Sequence, residues 1–161
     1  NTKNKLLELG FNLIGTEKMK ITLKTKPYGY TGDELKRIIE EKGVICEFSD
    51  PDYLVLMPSV ETGKDGLLRL LTVLGEVPKL KAIKETIFGE VKPEKVLTVR
   101  QAIFSDNQTV KIKESIGRIL AENTLSCPPA VSVVVAGERI DDNAVQIMQY
   151  YGVENLSVVK E

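Results

Sequence analysis

Alternating hydrophobic and polar positions predict a strand early in the chain, and a helical pattern follows it. Residues 20–25 alternate as a strand does, whereas the apolar residues of the segment 31–42 recur at helical spacing. The β-rich runs 44–48 and 53–57 flank an Asp-Pro-Asp turn, which predicts a hairpin. A broad leucine face then predicts a helix over residues 62–74. The first module is therefore expected to have the order β-α-β-β-α.

Polar residues mark where the predicted helices begin. Thr31 and Glu34 match a capping box, in which two side chains bind the free backbone N–H groups at a helix start. Thr98 and Gln101 show the same pattern further along the chain. A short opening helix is also expected over residues 3–9, ahead of a glycine that can end it.

A connector is expected to separate the first module from a second one. Residues 79–95 are rich in lysine and contain Gly89 and Pro93, which weaken any regular pattern. The predicted boundaries are residues 1–78 for the first module, 79–95 for the connector and 96–161 for the second module.

The second module is expected to mix short helices with short strands. Its predicted helices are residues 98–104, 113–121 and 141–151, and its predicted strands are residues 110–112, 131–135 and 156–159. The expected fold class is therefore mixed α/β (α+β), with two small modules. It consists of a β-α-β-β-α small domain followed by a mixed α/β C-terminal domain.

Composition and charge narrow the classes of function. The chain has 161 residues and a formal net charge of −1, so its overall balance gives no attraction to nucleic acid. No apolar run reaches the roughly 20 residues that cross a bilayer, and no secretory signal is recognisable. We therefore expect a cytoplasmic protein with neither a membrane nor a nucleic-acid partner. Because the chain begins with Asn1 rather than methionine, we expect it to start partway through a longer polypeptide.

The absence of histidine removes several kinds of active site. Serine and cysteine triads with an imidazole base are excluded, as are most catalytic zinc sites. The two cysteines, Cys46 and Cys127, are too few and too far apart for a disulfide framework or a zinc site, so no metal is expected. Cys46 lies in an apolar run and is expected to pack in the core. Cys127 precedes two prolines on an expected loop, where a thiol can line a pocket.

Other polar motifs give weaker support for a catalytic or binding site. Asp50 and Asp52 flank a turn proline, where short polar residues usually satisfy local backbone groups. The segment 62–65 lacks the first glycine and the final hydroxyl of a phosphate-binding loop. The turn at Gly137 and Glu138 follows a predicted strand and precedes a helix, a common place for functional loops. A surface turn with an ion pair explains it equally well.

The second half of the chain carries motifs that resemble those of a known family. In order, these are Arg100-Gln101-Ala102-Ile103-Phe104, Gly117-Arg118-Ile119-Leu120-Ala121-Glu122, Pro128-Pro129 and Gly137-Glu138. They resemble the C-terminal domain of the ornithine/lysine/arginine decarboxylases. That domain has an Arg-x-Ala-aromatic-aromatic start, a Gly-Arg-Ile-x-Ala-Glu helix, a Pro-Pro-Gly-Ile-Pro loop and a Pro-Gly-Glu turn. The first module is similar to the segment just upstream in this family, most clearly at Tyr30-Thr31-Gly32 and over residues 53–57.

The resemblance implies a pyridoxal-phosphate enzyme of the aspartate-aminotransferase fold. Such an enzyme removes the α-carboxylate of a basic amino acid through the cofactor's electron sink. In this family one histidine precedes the Schiff-base lysine and another stacks on the cofactor ring. Because the chain has no histidine, we expect it to hold no catalytic residue and no cofactor-binding residue, and to bind no pyridoxal phosphate alone. Its expected partners are the missing cofactor-binding large domain and further copies in a dimer or higher homo-oligomer.

The resemblance also implies a substrate-pocket rim within this chain. The expected rim residues are Cys127, Pro128, Pro129, Ser132, Gly137 and Glu138. Here the chain departs from the family pattern, because Cys127 replaces the usual tyrosine and Ala136 replaces the proline before Gly137. Exchanging a phenol for a thiol changes how a basic side chain is held, so the choice among lysine, arginine and ornithine stays open.

The leading interpretation is a C-terminal fragment of a decarboxylase of basic amino acids, an enzyme of amino acid and polyamine metabolism. The fragment would contribute to assembly and to the active-site entrance. One alternative is a stand-alone binding or regulatory module derived from the same fold. Another is a catalyst with Cys127 as nucleophile and Glu138 as base, which requires the two side chains to lie close together.

Overall fold

The chain folds into two compact units, Asn1–Thr86 and Ile87–Glu161. The computed structural model describes residues 1–122 and 132–160. Each unit combines helices with small antiparallel sheets, which confirms the predicted mixed α/β class. The division after Thr86 falls within the segment 79–95. Within the described ranges, no helix is both long enough and apolar enough to cross a membrane.

The first unit contains three helices and a four-stranded antiparallel sheet. The helices are α1 (Thr2–Glu8), α2 (Gly32–Glu41) and α3 (Gly63–Gly75), and the strands are β1 (Asn12–Ile14), β2 (Ile21–Lys24), β3 (Phe48–Ser49) and β4 (Tyr53–Leu56). The strand order is β1-β2-β4-β3. The predicted order β-α-β-β-α is confirmed for β2 to α3, and the opening helix is confirmed as α1. The three-residue strand β1 has no clear signal in the sequence.

The core of the first unit lies between its sheet and its helices. Leu23 and Leu54 are directly paired across β2 and β4, and both are fully buried. Leu35 and Ile39 of α2 and Leu74 of α3 complete this centre with no exposed surface. Burial of each such side chain contributes about 1.5–3 kcal/mol, so apolar packing fixes the arrangement of sheet and helices.

The hairpin that precedes α3 is shorter than the sequence predicts. Only Phe48–Ser49 pairs with β4 as a strand, and residues 44–47 form no regular strand. The prediction of a strand over residues 44–48 is therefore wrong at its start. Asp50 makes the turn, because its carboxylate accepts hydrogen bonds of 2.7 Å from the N–H groups of both Asp52 and Tyr53.

Among its described residues, the second unit contains two α-helices and two small sheets. The helices are α4 (Val99–Phe104) and α5 (Asp142–Tyr150), and the strands are β5 (Glu94–Lys95), β6 (Asn107–Lys111), β7 (Glu138–Arg139) and β8 (Asn155–Val159). β5 pairs with β7, and β6 pairs with β8. Leu120, Ala144, Met148 and Val158 have no exposed surface and form the centre of a separate core.

Two predicted elements of the second unit are wrong. The expected helix over residues 113–121 is a 3-10 turn, Ile112–Ser115, followed by a turn at residues 116–117 and by the isolated bridge residues Ile119 and Leu120. Gly117 has a φ of +80°, which a right-handed helix does not allow, and Leu120 bridges to Val158 of β8. The expected strand over residues 131–135 is absent from residues 132–135, although Val134 is buried, and Val131 lies outside the described residues. The predictions of α4, α5 and β8 are confirmed.

The segment 79–95 is held by hydrogen bonds at both ends. The N–H group of Leu80 donates to the carbonyl of Tyr28 at 3.1 Å within the first unit. The N–H group of Lys92 donates to the carboxylate of Asp141 at 3.0 Å within the second unit.

Candidate functional site

The turn at Gly137 joins three segments of the second unit. The N–H group of Gly137 donates to the carbonyl of Leu120 at 2.8 Å, and its carbonyl accepts hydrogen bonds of 2.9 Å from both Val96 and Leu97. Its φ is +92°, and a Cβ atom at this position would lie 2.4 Å from the carbonyl oxygen of Leu97. A left-handed backbone and this close approach both require glycine.

Glu138 uses its side chain within the same turn. Its carboxylate accepts a hydrogen bond of 2.8 Å from the N–H group of Val135, and its own N–H group donates to the Val135 carbonyl at 3.0 Å. Arg139, by contrast, binds the carboxylate of Glu94 through Nε at 2.8 Å and the carbonyl of Gly117 at 2.8 Å. The ion pair of this turn therefore joins β5 to β7 rather than Glu138 to Arg139.

The structure describes half of the six predicted rim residues. Gly137 and Glu138 are adjacent in the turn, and Ser132 is exposed on the segment that leads into it. Cys127, Pro128 and Pro129 lie outside the described residues. Glu122 is the last described residue before them, and its carboxylate accepts a hydrogen bond of 2.5 Å from the N–H group of Ser157 in β8.

The motif Arg100–Phe104 at the start of the second unit contains both buried and exposed residues. The predicted capping box is present, since the N–H of Gln101 donates to the Thr98 hydroxyl at 3.2 Å and the N–H of Thr98 to the Gln101 side chain at 3.0 Å. Ala102 is fully buried. Phe104 is 81% exposed, and the guanidinium of Arg100 lies 5.8 Å from its ring centre.

A buried ion pair in the first unit is absent from the sequence predictions. The ammonium of Lys26 lies 2.7 Å from the carboxylate of Asp52, and the Lys26 side chain is only 4% exposed. The hydroxyl of the fully buried Thr25 donates to the Asp52 carbonyl at 3.2 Å. A lysine beside a proline carries no sequence signal of burial. Asp52 therefore fixes the turn before α2, and its role is structural.

Burial shifts the pKa of two titratable groups in the first unit. Burial raises the pKa of Asp50, despite its hydrogen bonds from the N–H groups of Asp52 and Tyr53. Burial likewise raises the pKa of the Cys46 thiol to about 11, and the nearby Glu40 adds to this effect. Cys46 thus packs in the core as predicted. Across residues 1–122 and 132–160, no group of three or more cysteine or carboxylate side chains is placed to hold a metal ion.

Comparison with known proteins links the second unit to a decarboxylase family. Residues 81–157 match the family model for the C-terminal domain of Orn/Lys/Arg decarboxylases. The chain is 27% identical over 139 residues to the uncharacterized protein YaaO of Bacillus subtilis, covering 83% of this chain and 29% of that protein. It is 22% identical over 130 residues to an arginine decarboxylase of the same organism, covering 76% of this chain and 26% of that protein. The chain thus spans less than a third of the length of these relatives.

Solved structures share the fold. The lysine decarboxylase of Francisella novicida superposes with a TM-score of 0.63 at 16% identity, covering 92% of this chain and 32% of that one. The constitutive lysine decarboxylase of E. coli gives a TM-score of 0.64 at 16% identity, covering 89% and 32%. Residues 81–157 therefore match the C-terminal domain of the Orn/Lys/Arg decarboxylases, and the chain shares its fold with about a third of each lysine decarboxylase.

Proposed function

We propose that the chain is the C-terminal part of a pyridoxal-phosphate-dependent decarboxylase that acts on lysine, arginine or ornithine in the cytoplasm. The match of residues 81–157 to the C-terminal domain of this family carries the proposal. The parent enzyme would serve amino acid and polyamine metabolism and assemble as a dimer or higher homo-oligomer. In it, this chain contributes to assembly and to the active-site entrance.

The residues of this chain do not fit the cofactor itself. Pyridoxal phosphate supplies an electron sink for the electrons that decarboxylation leaves on the α-carbon. A lysine that binds it needs a pocket that lowers the lysine pKa. The ammonium of the buried Lys26 instead lies 2.7 Å from the carboxylate of Asp52, so it is already engaged in an ion pair. We therefore assign cofactor binding to the part of the parent enzyme outside this chain.

The role assigned to this chain is to shape the rim of the substrate pocket. We place Cys127, Pro128, Pro129, Ser132, Gly137 and Glu138 on this rim. Gly137 and Glu138 act by holding the turn, since the Glu138 carboxylate is bound to the N–H group of Val135. Rim side chains change the fit of one basic amino acid against another.

Release of labelled carbon dioxide tests this function. The full polypeptide encoded by the gene is incubated with pyridoxal phosphate and carboxyl-labelled lysine, arginine or ornithine in turn. We expect release from at least one substrate, and none from residues 1–161 alone. A full polypeptide that binds the cofactor but releases no carbon dioxide from any of the three would reject the proposal.

A stand-alone, non-catalytic module is a second candidate. It is favoured by the separate buried cores of the two units, since a free-standing protein needs its own core. A native protein that begins close to Asn1 and binds a partner without decarboxylase activity would establish this candidate instead.

A further inference from the structure

Strand β6 forms an open edge of the small sheet in the second unit. Its partner β8 is covered on its other side by residues 119–121, which exchange backbone hydrogen bonds of 2.9 Å with Ser157 and Val159. Among the described residues, no strand other than β8 pairs with β6. An open edge presents a row of N–H and carbonyl groups to which another strand can bind.

The hydrogen bonds at its two ends show which residues of β6 face this open edge. The carbonyl of Asp106 accepts from the N–H group of Lys160 at 2.8 Å, and the N–H group of Ile112 donates to the carbonyl of Glu154 at 2.9 Å. Because the bonds alternate along an antiparallel pair, even-numbered residues of β6 bond to β8 and odd-numbered residues point away from it. The backbone groups that line the open edge are therefore those of Asn107, Thr109 and Lys111.

The side chains of β6 leave this edge accessible. Asn107, Thr109 and Lys111 are exposed, whereas the intervening Val110 packs against the core of the second unit and anchors the strand. β6 contains no proline, which would remove an N–H group from the edge. The edge is thus able to accept a further strand along its whole length.

The charges at the two ends of β6 favour a second copy of the same strand. Asp106 precedes the strand, Lys111 ends it and Lys113 follows, while Glu114 offsets one of the two lysines. Two copies of β6 in antiparallel orientation bring the acidic end of each beside the basic end of the other, whereas parallel copies would bring like charges together. The strand is therefore complementary to itself in one orientation.

We propose that β6 pairs with β6 of a second copy of this chain, antiparallel and across a twofold axis at Thr109. In this register Thr109 lies opposite Thr109 and Asn107 lies opposite Lys111, so each of the facing pairs exchanges two backbone hydrogen bonds. Any other register leaves at least one outward residue of β6 without an outward partner. The inference rests on the homo-oligomer of the proposed function, and it names the strand through which two copies meet.

Disulfide trapping in the full encoded polypeptide tests this register. In the proposed pair the two Thr109 Cα atoms lie about 5.5 Å apart, a separation that a disulfide spans. Thr109→Cys should therefore link to the same residue of the second copy under mild oxidation, and mass spectrometry of the digested protein identifies the linked peptide. Asn107→Cys is the matched control, because it is exposed on the same strand but lies about 14 Å from its own equivalent. We expect at least about tenfold less linked peptide from Asn107→Cys alone.

Co-expression of two variants checks the register independently. Copies with Asn107→Cys and copies with Lys111→Cys should form the mixed link, because these two positions face each other in the proposed pair. A Thr109→Cys polypeptide that stays unlinked would overturn the inference. Equal linking of Asn107→Cys to itself would also overturn it, because the copies would then meet without the proposed register.

Decarboxylase activity is measured separately on the same samples. An active polypeptide in which Thr109→Cys stays unlinked would reject the pairing of β6 alone. Linked copies that release no carbon dioxide from any of the three substrates would reject the proposed function alone.

Discussion

The carboxylate of Glu138 accepts a hydrogen bond of 2.8 Å from the backbone N–H group of Val135 and thereby closes the turn around Gly137. A charged motif residue that could contact a substrate is thus engaged with the backbone of its own turn. Glutamine presents a carbonyl oxygen in the same place, so this bond does not need a negative charge.

Removal of this acceptor should destabilise the second unit. We expect Glu138→Ala to lower the free energy of unfolding by about 1 kcal/mol and Glu138→Gln to lower it by less than half as much. Urea unfolding of both variants measures the difference. Equal losses would show that the hydrogen bond does not account for the role of Glu138.

Two glycines within helices should respond to alanine in opposite directions. A Cβ atom at Gly32 would lie 1.9 Å from the Tyr53 carbonyl oxygen, so Gly32→Ala should cost about 3 kcal/mol. At Gly75 the nearest atom belongs to Leu9 at 3.7 Å, so Gly75→Ala should be neutral or stabilise by up to about 1 kcal/mol. Thermal unfolding measures the change in stability of both variants. A tolerated Gly32→Ala would contradict the close packing of α2 against the turn before β4.

The two capping boxes should differ in their dependence on pH. Hydrogen bonds from the backbone and side chain of Thr31 lower the pKa of Glu34. A carboxyl with a lower pKa in the folded state stabilises the fold above its unfolded pKa of about 4.3 and loses this contribution as the pH falls through the folded pKa. Glu34→Ala should therefore cost about 1 kcal/mol at pH 7 and less in acid.

Gln101 provides the matched control for Glu34. It occupies the same position in the capping box of α4 but does not titrate. Gln101→Ala should cost a similar amount at every pH. Unfolding measured between pH 3 and 7 compares the two variants, and parallel pH profiles would refute the charge-dependent role of Glu34.

Cys46 should resist thiol reagents while the protein is folded. Burial raises its pKa to about 11, so roughly one thiol in a thousand is ionised at pH 8. A Cys127→Ser variant isolates Cys46, and its reaction with a thiol reagent is followed with and without urea. We expect reaction only on unfolding. Fast reaction of the native variant would place Cys46 outside the core.

Local signals account for the parts of the fold that the sequence predicts. The capping boxes at Thr31 and Thr98 and the caps of α5 involve residues a few positions apart, so their patterns are readable along the chain. The wrong helix over residues 113–121 illustrates the limit. Its apolar spacing fits a helix, but Leu120 pairs with Val158 of β8, a partner far away in sequence.

The candidate site shows the same division between local and distant information. The need for glycine at position 137 follows from the Leu97 carbonyl, forty residues earlier in the chain. The pairing of Lys26 with Asp52 likewise depends on the meeting of two turns. The family motif located Gly137 and Glu138, but only the folded backbone reveals that Glu138 binds the N–H group of Val135.

The length of the native polypeptide tests the central claim most directly. Intact mass spectrometry of the protein isolated from its source compares that length with the 161 residues described by the sequence. Since the chain spans 26–32% of its relatives, we predict a polypeptide about three times as long that includes these residues. A native protein no longer than this chain would contradict the assignment to a decarboxylase parent.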